Sequence, residues 1–187
     1  MKMTAQELIK EYDIYLATEY VAGKEVVTGN LRIARGDIAN RRGDISTIRD
    51  AKQEIIDILM AERDAAQKAI KDRADKINAI PGLTEILNAK QDLANWNHEF
   101  RASFDGECGG GVGVREKPNY DFAELLAKYP KANAYLQAKD FADSDNIAKS
   151  EAGQKALDAI INGDDYNAAI VTMEAEWSEY CTKHLWD

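Results

Sequence analysis

The sequence predicts an all-α fold: an elongated helical bundle with a long antiparallel helical hairpin and a smaller C-terminal helical part. Three observations carry that prediction. Apolar residues recur at three- and four-residue spacing through most of the chain, as in helices that bury one face. Only three prolines occur among 187 residues, each at a break in the pattern. Few stretches alternate apolar and polar residues, so few candidates for strand remain.

Taken in order, Thr4 and Glu7 have the spacing of a capping box, in which hydroxyl and carboxylate each serve an unpaired N–H. Leu8, Ile9, Tyr12, Leu16, Tyr20 and Val21 then recur at helical spacing, so residues 4–22 read as one amphipathic helix with Gly23 as its stop. Val26-Val27-Thr28-Gly29-Asn30 reads as a turn. Arg35-Gly36-Asp37-Ile38 returns seven residues later as Arg42-Gly43-Asp44-Ile45. A seven-residue spacing keeps the isoleucines on one stripe, which predicts a helix with close backbone contacts at Gly36 and Gly43, or alternatively a kinked pair of shorter helices.

The helical signal is strongest from Ile45 to Ile80, with Ile48, Ile55, Ile56, Leu59, Ala66, Ile70, Ile77 and Ile80 on the apolar stripe. A continuous helix of that length is about 50 Å long. Pro81-Gly82 breaks it, and a second helix from Leu83 to about Phe104 completes the predicted hairpin, with Leu83, Ile86, Leu87, Leu93, Ala94, Phe100 and Phe104 inward. The glycine-rich residues 105–118 read as a linker. Beyond it come short helices interrupted at Pro130, a helix over Ser150–Ile161 closed by Asn162-Gly163, and a last helix over Asp165–His184. The domain organisation expected is therefore an N-terminal helix plus hairpin (1–104), a linker (105–118) and an acidic C-terminal helical subdomain (119–187).

Charge is the most informative functional feature. Residues 31–52 carry six basic side chains against three aspartates, a balance of +3, whereas residues 119–187 carry 13 acidic against six basic, a balance of −7. Opposite fields on one protein steer association with charged partners. The overall charge of −9 disfavours general affinity for nucleic acid or anionic lipid, which is driven by Lys and Arg. Two cysteines far apart suit a reducing cytoplasm better than a disulfide scaffold. The N-terminus lacks the apolar core of a signal peptide, and no run approaches membrane-spanning length. A cytoplasmic protein is expected.

Chemical motifs are weak. Glycines 109, 110, 111 and 113 match neither a dinucleotide fingerprint nor a P-loop, since no Lys-Ser/Thr follows and no strand precedes. Cys181 and His184 are three apart, but a zinc site would need Cys108 and His98 from far along the chain, and structural sites use tighter pairs. Two histidines and no serine-centred turn leave a catalytic triad without support. No catalytic residue, cofactor or metal is expected. The two Arg-Gly-Asp triplets belong to the seven-residue echo. Trp96, Trp177 and Trp186 are candidate interface anchors, of which Trp177 is expected in the core and Trp186 either docks back or marks a contact. An acidic contact face is expected from Asp164, Asp165, Glu174, Glu176 and Glu179, with Trp186 as an anchor. A basic face over Arg32, Arg35, Arg41, Arg42 and Arg49 is the alternative nucleic-acid contact, although interleaved aspartates suit a salt-bridged surface better.

Two stretches carry a resemblance. The first is Gly109-Gly110-Gly111-Val112-Gly113-Val114, through Pro118-Asn119-Tyr120-Asp121, to Tyr129-Pro130-Lys131-Ala132-Asn133-Ala134-Tyr135-Leu136. The second is Gly153-Gln154-Lys155-Ala156-Leu157, through Ile161-Asn162-Gly163-Asp164-Asp165-Tyr166, to Met173-Glu174-Ala175-Glu176-Trp177 and His184-Leu185-Trp186-Asp187. Together they resemble small proteins encoded by phages and prophages of gut Firmicutes. The resemblance implies a phage product acting in the bacterial host cell, in the manner of anti-CRISPR inhibitors that bind a Cas nuclease and block its DNA engagement. It carries over no functional residue. The expectation is a non-catalytic inhibitor of a host nucleic-acid-handling protein. A homodimeric scaffold built on the 45–104 hairpin, or nucleic-acid binding through 31–52, are the alternatives.

Overall fold

The computed structural model describes residues 3–22, 24–34, 42–104 and 116–184, with the side chains of 42–44 and 102–104 left out. The described residues are mostly helical, but the fold is not purely α. Eight helices and one two-stranded sheet are present among the described residues. It divides into two compact units, Met1–Lys71 and Asp72–Asp187.

In the first unit, helix α1 (Ala5–Tyr12) starts at Thr4, where the expected capping box forms. The Glu7 carboxylate accepts the Thr4 N–H at 2.8 Å, and the Glu7 N–H donates to the Thr4 hydroxyl at 3.3 Å. The single helix expected over 4–22 ends here. Asp13 sits in the left-handed region at φ 50 and donates its N–H to the Ile9 carbonyl. The chain continues as strand β1 (Ile14–Val21), paired antiparallel with β2 (Lys24–Ile33) from Ile14 opposite Ile33 to Val21 opposite Lys24. The reason is period ambiguity. Leu8, Tyr12, Leu16 and Tyr20 are four apart, which suits a helical stripe but is also a multiple of the two-residue strand period. Ile14-Tyr15-Leu16-Ala17-Thr18-Glu19-Tyr20-Val21 is rich in aromatic and β-branched residues that favour a pleated surface.

The turn expected at Val26–Asn30 is also corrected: these residues lie inside β2. Their turn-like composition marks a register irregularity. Leu16 faces Leu31 and Thr18 faces Val27, so β2 carries three residues opposite Ala17 alone, a bulge of the kind glycine favours. The Thr28 hydroxyl donates to the Ala17 carbonyl at 3.1 Å, which holds it closed.

Leu31 is also in β2, while Gly36, one of the two expected close contacts, and the residues up to Arg41 lie outside the described residues. Helix α2 (Arg42–Asp50) and α3 (Lys52–Asn78) follow, nearly continuous through Ala51, whose N–H donates to the Thr47 carbonyl at 3.0 Å. Leu8, Tyr12, Ile14, Ile48 and Ile55 form the first core. Of the expected apolar stripe on α3, Ile55 alone is buried. Ile70, expected inward, is 70% exposed. Residues 64–76 are exposed on every face. A helix polar all round is sustained by propensity and charge pairing, and here Arg63 pairs with Asp64 at 2.6 Å and Arg73 with Asp158 at 2.7 Å.

The second unit begins with the last turns of α3. Helix α3 ends ahead of Pro81-Gly82, as expected, with Gly82 at φ 75, and α4 (Leu83–Phe104) matches its expected bounds. Most of the expected linker, residues 105–115, lies outside the described residues; α5 (Phe122–Lys128), capped by the Asp121 side chain, and α6 (Pro130–Ala142) follow it in sequence. Pro130 opens α6 at its first turn, where proline's missing N–H costs nothing. Helix α7 (Ile147–Asn162) starts at the Asn146 cap and stops at Gly163 with φ 96; α8 (Tyr166–His184) is the last described element. The core gathers Ile80, Leu83, Ile86, Leu136, Leu157, Ile160 and Met173. Helices α6 and α7 cross at Gly153, where an added Cβ would lie 2.2 Å from the Ala142 nitrogen. Among the described residues, no helix is long and apolar enough to cross a membrane.

Candidate functional site: the acidic flank of the C-terminal helices

Helices α7 and α8 form a hairpin through the short turn Gly163-Asp164-Asp165. Gly163 takes the left-handed conformation that ends α7, and the Asp165 carboxylate accepts the N–H groups of Asn167 and Ala168 at 2.9 and 3.3 Å. That satisfies two of the unpaired donors at the start of α8. The turn therefore sets two adjacent aspartates at one end of the helix pair.

A cleft of about 280 Å³ runs between the two helices beside this turn. Its floor is Ala152, Ala156, Ala159, Ala169 and Met173, and its rim carries Lys155, Asp164, Asp165 and Glu176. Lys155 and Glu176 join across the rim at 3.0 Å. Both are exposed enough that the pair adds little stability and serves chiefly to set charge.

The expected acidic residues are only partly gathered. Asp164, Asp165 and Glu176 share the cleft. Glu179 lies just beyond it, paired with Lys183 at 2.5 Å, and the hydrogen bond from that ammonium, followed by its charge, holds the Glu179 carboxyl below the usual glutamate range. Glu174 sits two residues before Glu176, so it projects about 200° around the α8 axis, on the other side. The side chains of Glu174 and Asp164 are exposed and form no hydrogen bond or ion pair among the described residues. Trp186 lies outside the described residues. Trp177, expected in the core, is half-buried, stacked on Tyr180 with ring centres 5.5 Å apart.

The basic set is spread over separate elements. Arg32 is exposed on β2, in register with Tyr15. Arg49 is exposed on α2 and lies 3.8 Å from Asp50. Arg42 begins α2, its side chain outside the description, while Arg35 and Arg41 lie outside the described residues. Cys181 is half-buried, the His184 ring rests on Tyr180, and Cys108 lies outside the described residues. No three potential metal ligands come together among the described residues.

Sequence reasoning did not find the cleft or its cross-helix pair. Lys155 and Glu176 are 21 residues apart, beyond any local spacing rule. One signal was present: alanines at 152, 156 and 159 and again at 168 and 169, a small-residue stripe on each of two consecutive helices. A further unanticipated contact places the Lys149 ammonium 4.6 Å from the Phe141 ring centre and 5.8 Å from that of Trp177. Compared with known proteins, the chain matches no family model, no curated protein and no solved structure.

Proposed function

We propose that this is a non-catalytic binding protein that acts in the cytoplasm of a bacterial host. Its acidic C-terminal flank occupies the basic surface of a nucleic-acid-handling partner, a CRISPR effector nuclease being the candidate, and so keeps DNA from engaging. The observation that supports the reading most is the convergence of Asp164, Asp165 and Glu176 around one cleft, within a region whose charge balance is −7. Carboxylates at such a surface stand where phosphates would stand on the partner, and complementary charge raises encounter rate and excludes wrong partners.

The test is capture of guide-loaded Cas9 by the purified protein, compared with the triple variant Asp164→Asn/Glu174→Gln/Glu179→Gln. Asp165 and Glu176 are left intact because they cap α8 and bridge to α7. Binding that weakens in the variant and with rising salt supports the reading. No complex with any CRISPR effector, and no protection of phage in cells, would end it.

Self-association through the 45–104 region is the second reading, favoured by one observation. The α3 stripe expected to face inward leaves Ala66 and Ile70 exposed, available to a second copy. Light scattering of the wild type and of Ile70→Lys tests it: a dimer that the variant dissociates supports this reading, and a monomeric wild type ends it.

A further inference from the structure

We propose that the cleft between α7 and α8 seats a positively charged amphipathic helix of the partner, its apolar ridge in the cleft and its Lys or Arg heads on Asp164, Asp165 and Glu176. The inference rests on the acidic-flank reading above and names the shape and chemistry of what meets it.

Three features point to a helix. First, α6, α7 and α8 share the core of the second unit, and the cleft opens away from α6. On α7, Gly153 meets α6, whereas Lys155 and Ala159 lie about 160° and 120° around the axis from it. The cleft is thus a vacant helix position beside an existing helical layer, the setting for helix-in-groove recognition. Second, its floor is made mostly of alanines, which allow a packed helix to approach closely, since the distance between axes follows the side chains at the contact. Third, its volume is about 280 Å³. It suits a short row of side chains.

Charge complementarity selects the occupant. Three rim carboxylates stand against one ammonium, that of Lys155, which is itself engaged by Glu176. Lys and Arg lay their aliphatic stems on apolar surface while the heads stay at its polar edge, which matches an apolar floor with an acidic border. Glu176 is already paired with Lys155 and Asp165 already accepts two N–H groups of α8, so a neutral or acidic helix would leave the Asp164 carboxylate without a counter-charge. Lys155 is the one rim group opposed to this occupant, so its removal has a sign that a merely structural role would not share.

The experiment uses the full chain and a fluorescent 18-residue helical peptide with leucines on one stripe flanked by arginines. A matched peptide carries glutamate in place of arginine. The arginine peptide is expected to bind and the glutamate peptide to fail. Ala168→Trp, at an exposed position on the cleft wall, fills the groove without removing charge and is expected to weaken binding at least about tenfold, as for loss of a central anchor pocket. Asp164→Asn is expected to weaken it about threefold, and Lys155→Gln to strengthen it by about the same factor, the range of an exposed charge pair. Should Ala168→Trp fail to fold, backbone NMR shifts on titrating wild type provide the same readout and must centre on Ala159, Ala168 and Thr172. Undiminished binding to Ala168→Trp, equal binding of the glutamate peptide, or shifts centred elsewhere would overturn the proposal. So would an Ala168→Trp variant that binds peptide normally but loses a self-dimer, since the occupant is then a second copy. If the triple acidic variant loses Cas9 while Ala168→Trp keeps it, the acidic flank stands and the cleft proposal falls. If both keep it, the earlier reading falls as well.

Discussion

Replacing Gly153 with alanine tests the close approach of α6 and α7. An added Cβ would lie 2.2 Å from the Ala142 nitrogen and 2.7 Å from the Phe141 carbonyl carbon. Both atoms are backbone, so no rotamer change relieves the clash, and reaching ordinary contact requires α6 and α7 to part by roughly 1 Å. Overpacking of this kind costs about 1–3 kcal/mol, and a clash with two backbone atoms belongs at the upper end. Against it, alanine gains about 1 kcal/mol over glycine in a helix interior. The net expectation is a loss of roughly 2 kcal/mol, or a melting temperature about 8 °C lower for a unit of this size.

Two other glycines separate the causes. Gly29 has nothing within 4 Å of an added Cβ, so Gly29→Ala is expected to be neutral or slightly stabilising. Gly163 has open space but φ 96, so Gly163→Ala is expected to lose about 1 kcal/mol from backbone strain alone. Urea denaturation followed by circular dichroism would rank the three. A Gly153→Ala protein as stable as wild type would refute the close crossing, because propensity alone would then govern the site.

Gly82→Ala combines both penalties, at φ 75 and with Cβ 2.1 Å from the Tyr129 ring. It is expected to destabilise by more than Gly163→Ala and to break the 2.6 Å hydrogen bond from the Tyr129 hydroxyl to Glu85, both readable by urea titration and tyrosine fluorescence. Ile86→Ala, at a fully buried position, is expected to cost about 2–5 kcal/mol; Ile70→Ala, 70% exposed, should change stability by less than about 0.5 kcal/mol. Equal effects in denaturant titration would show that α3 is covered after all. Glu7 and Glu179 have carboxyl pKa values held below the ordinary glutamate value of 4.5, by hydrogen bonds from Thr4 and from Lys183 respectively. A lowered folded-state pKa stabilises above the unfolded value and is lost as pH falls through the folded one. Thermal melts should therefore drop as pH is lowered below about 4.5, and Glu179→Gln should shrink that drop.

Where each residue's own neighbours in sequence carry the information, the reading held. Thr4 and Glu7 cap α1 because capping joins groups three residues apart. Pro81-Gly82, Pro130 and Gly163 punctuate the second unit because a missing N–H or a positive φ is a property of one residue. The last two helices and α4 begin and end within a few residues of their expected bounds for the same reason. The all-α prediction failed at Ile14–Ile33, where apolar residues four apart satisfy two periods at once and the ladder to a second strand selects between them.

Contacts made at long range in the chain could not be read this way. Ile70 continues a faultless stripe, yet whether a stripe is covered depends on what another element brings to it. The Lys155–Glu176 pair, the close approach at Gly153 and the alanine-floored cleft all arise where separate helices meet. Local spacing rules name the face of a helix, but the partner of that face is a matter of packing, and packing is set by shape and volume across the whole unit.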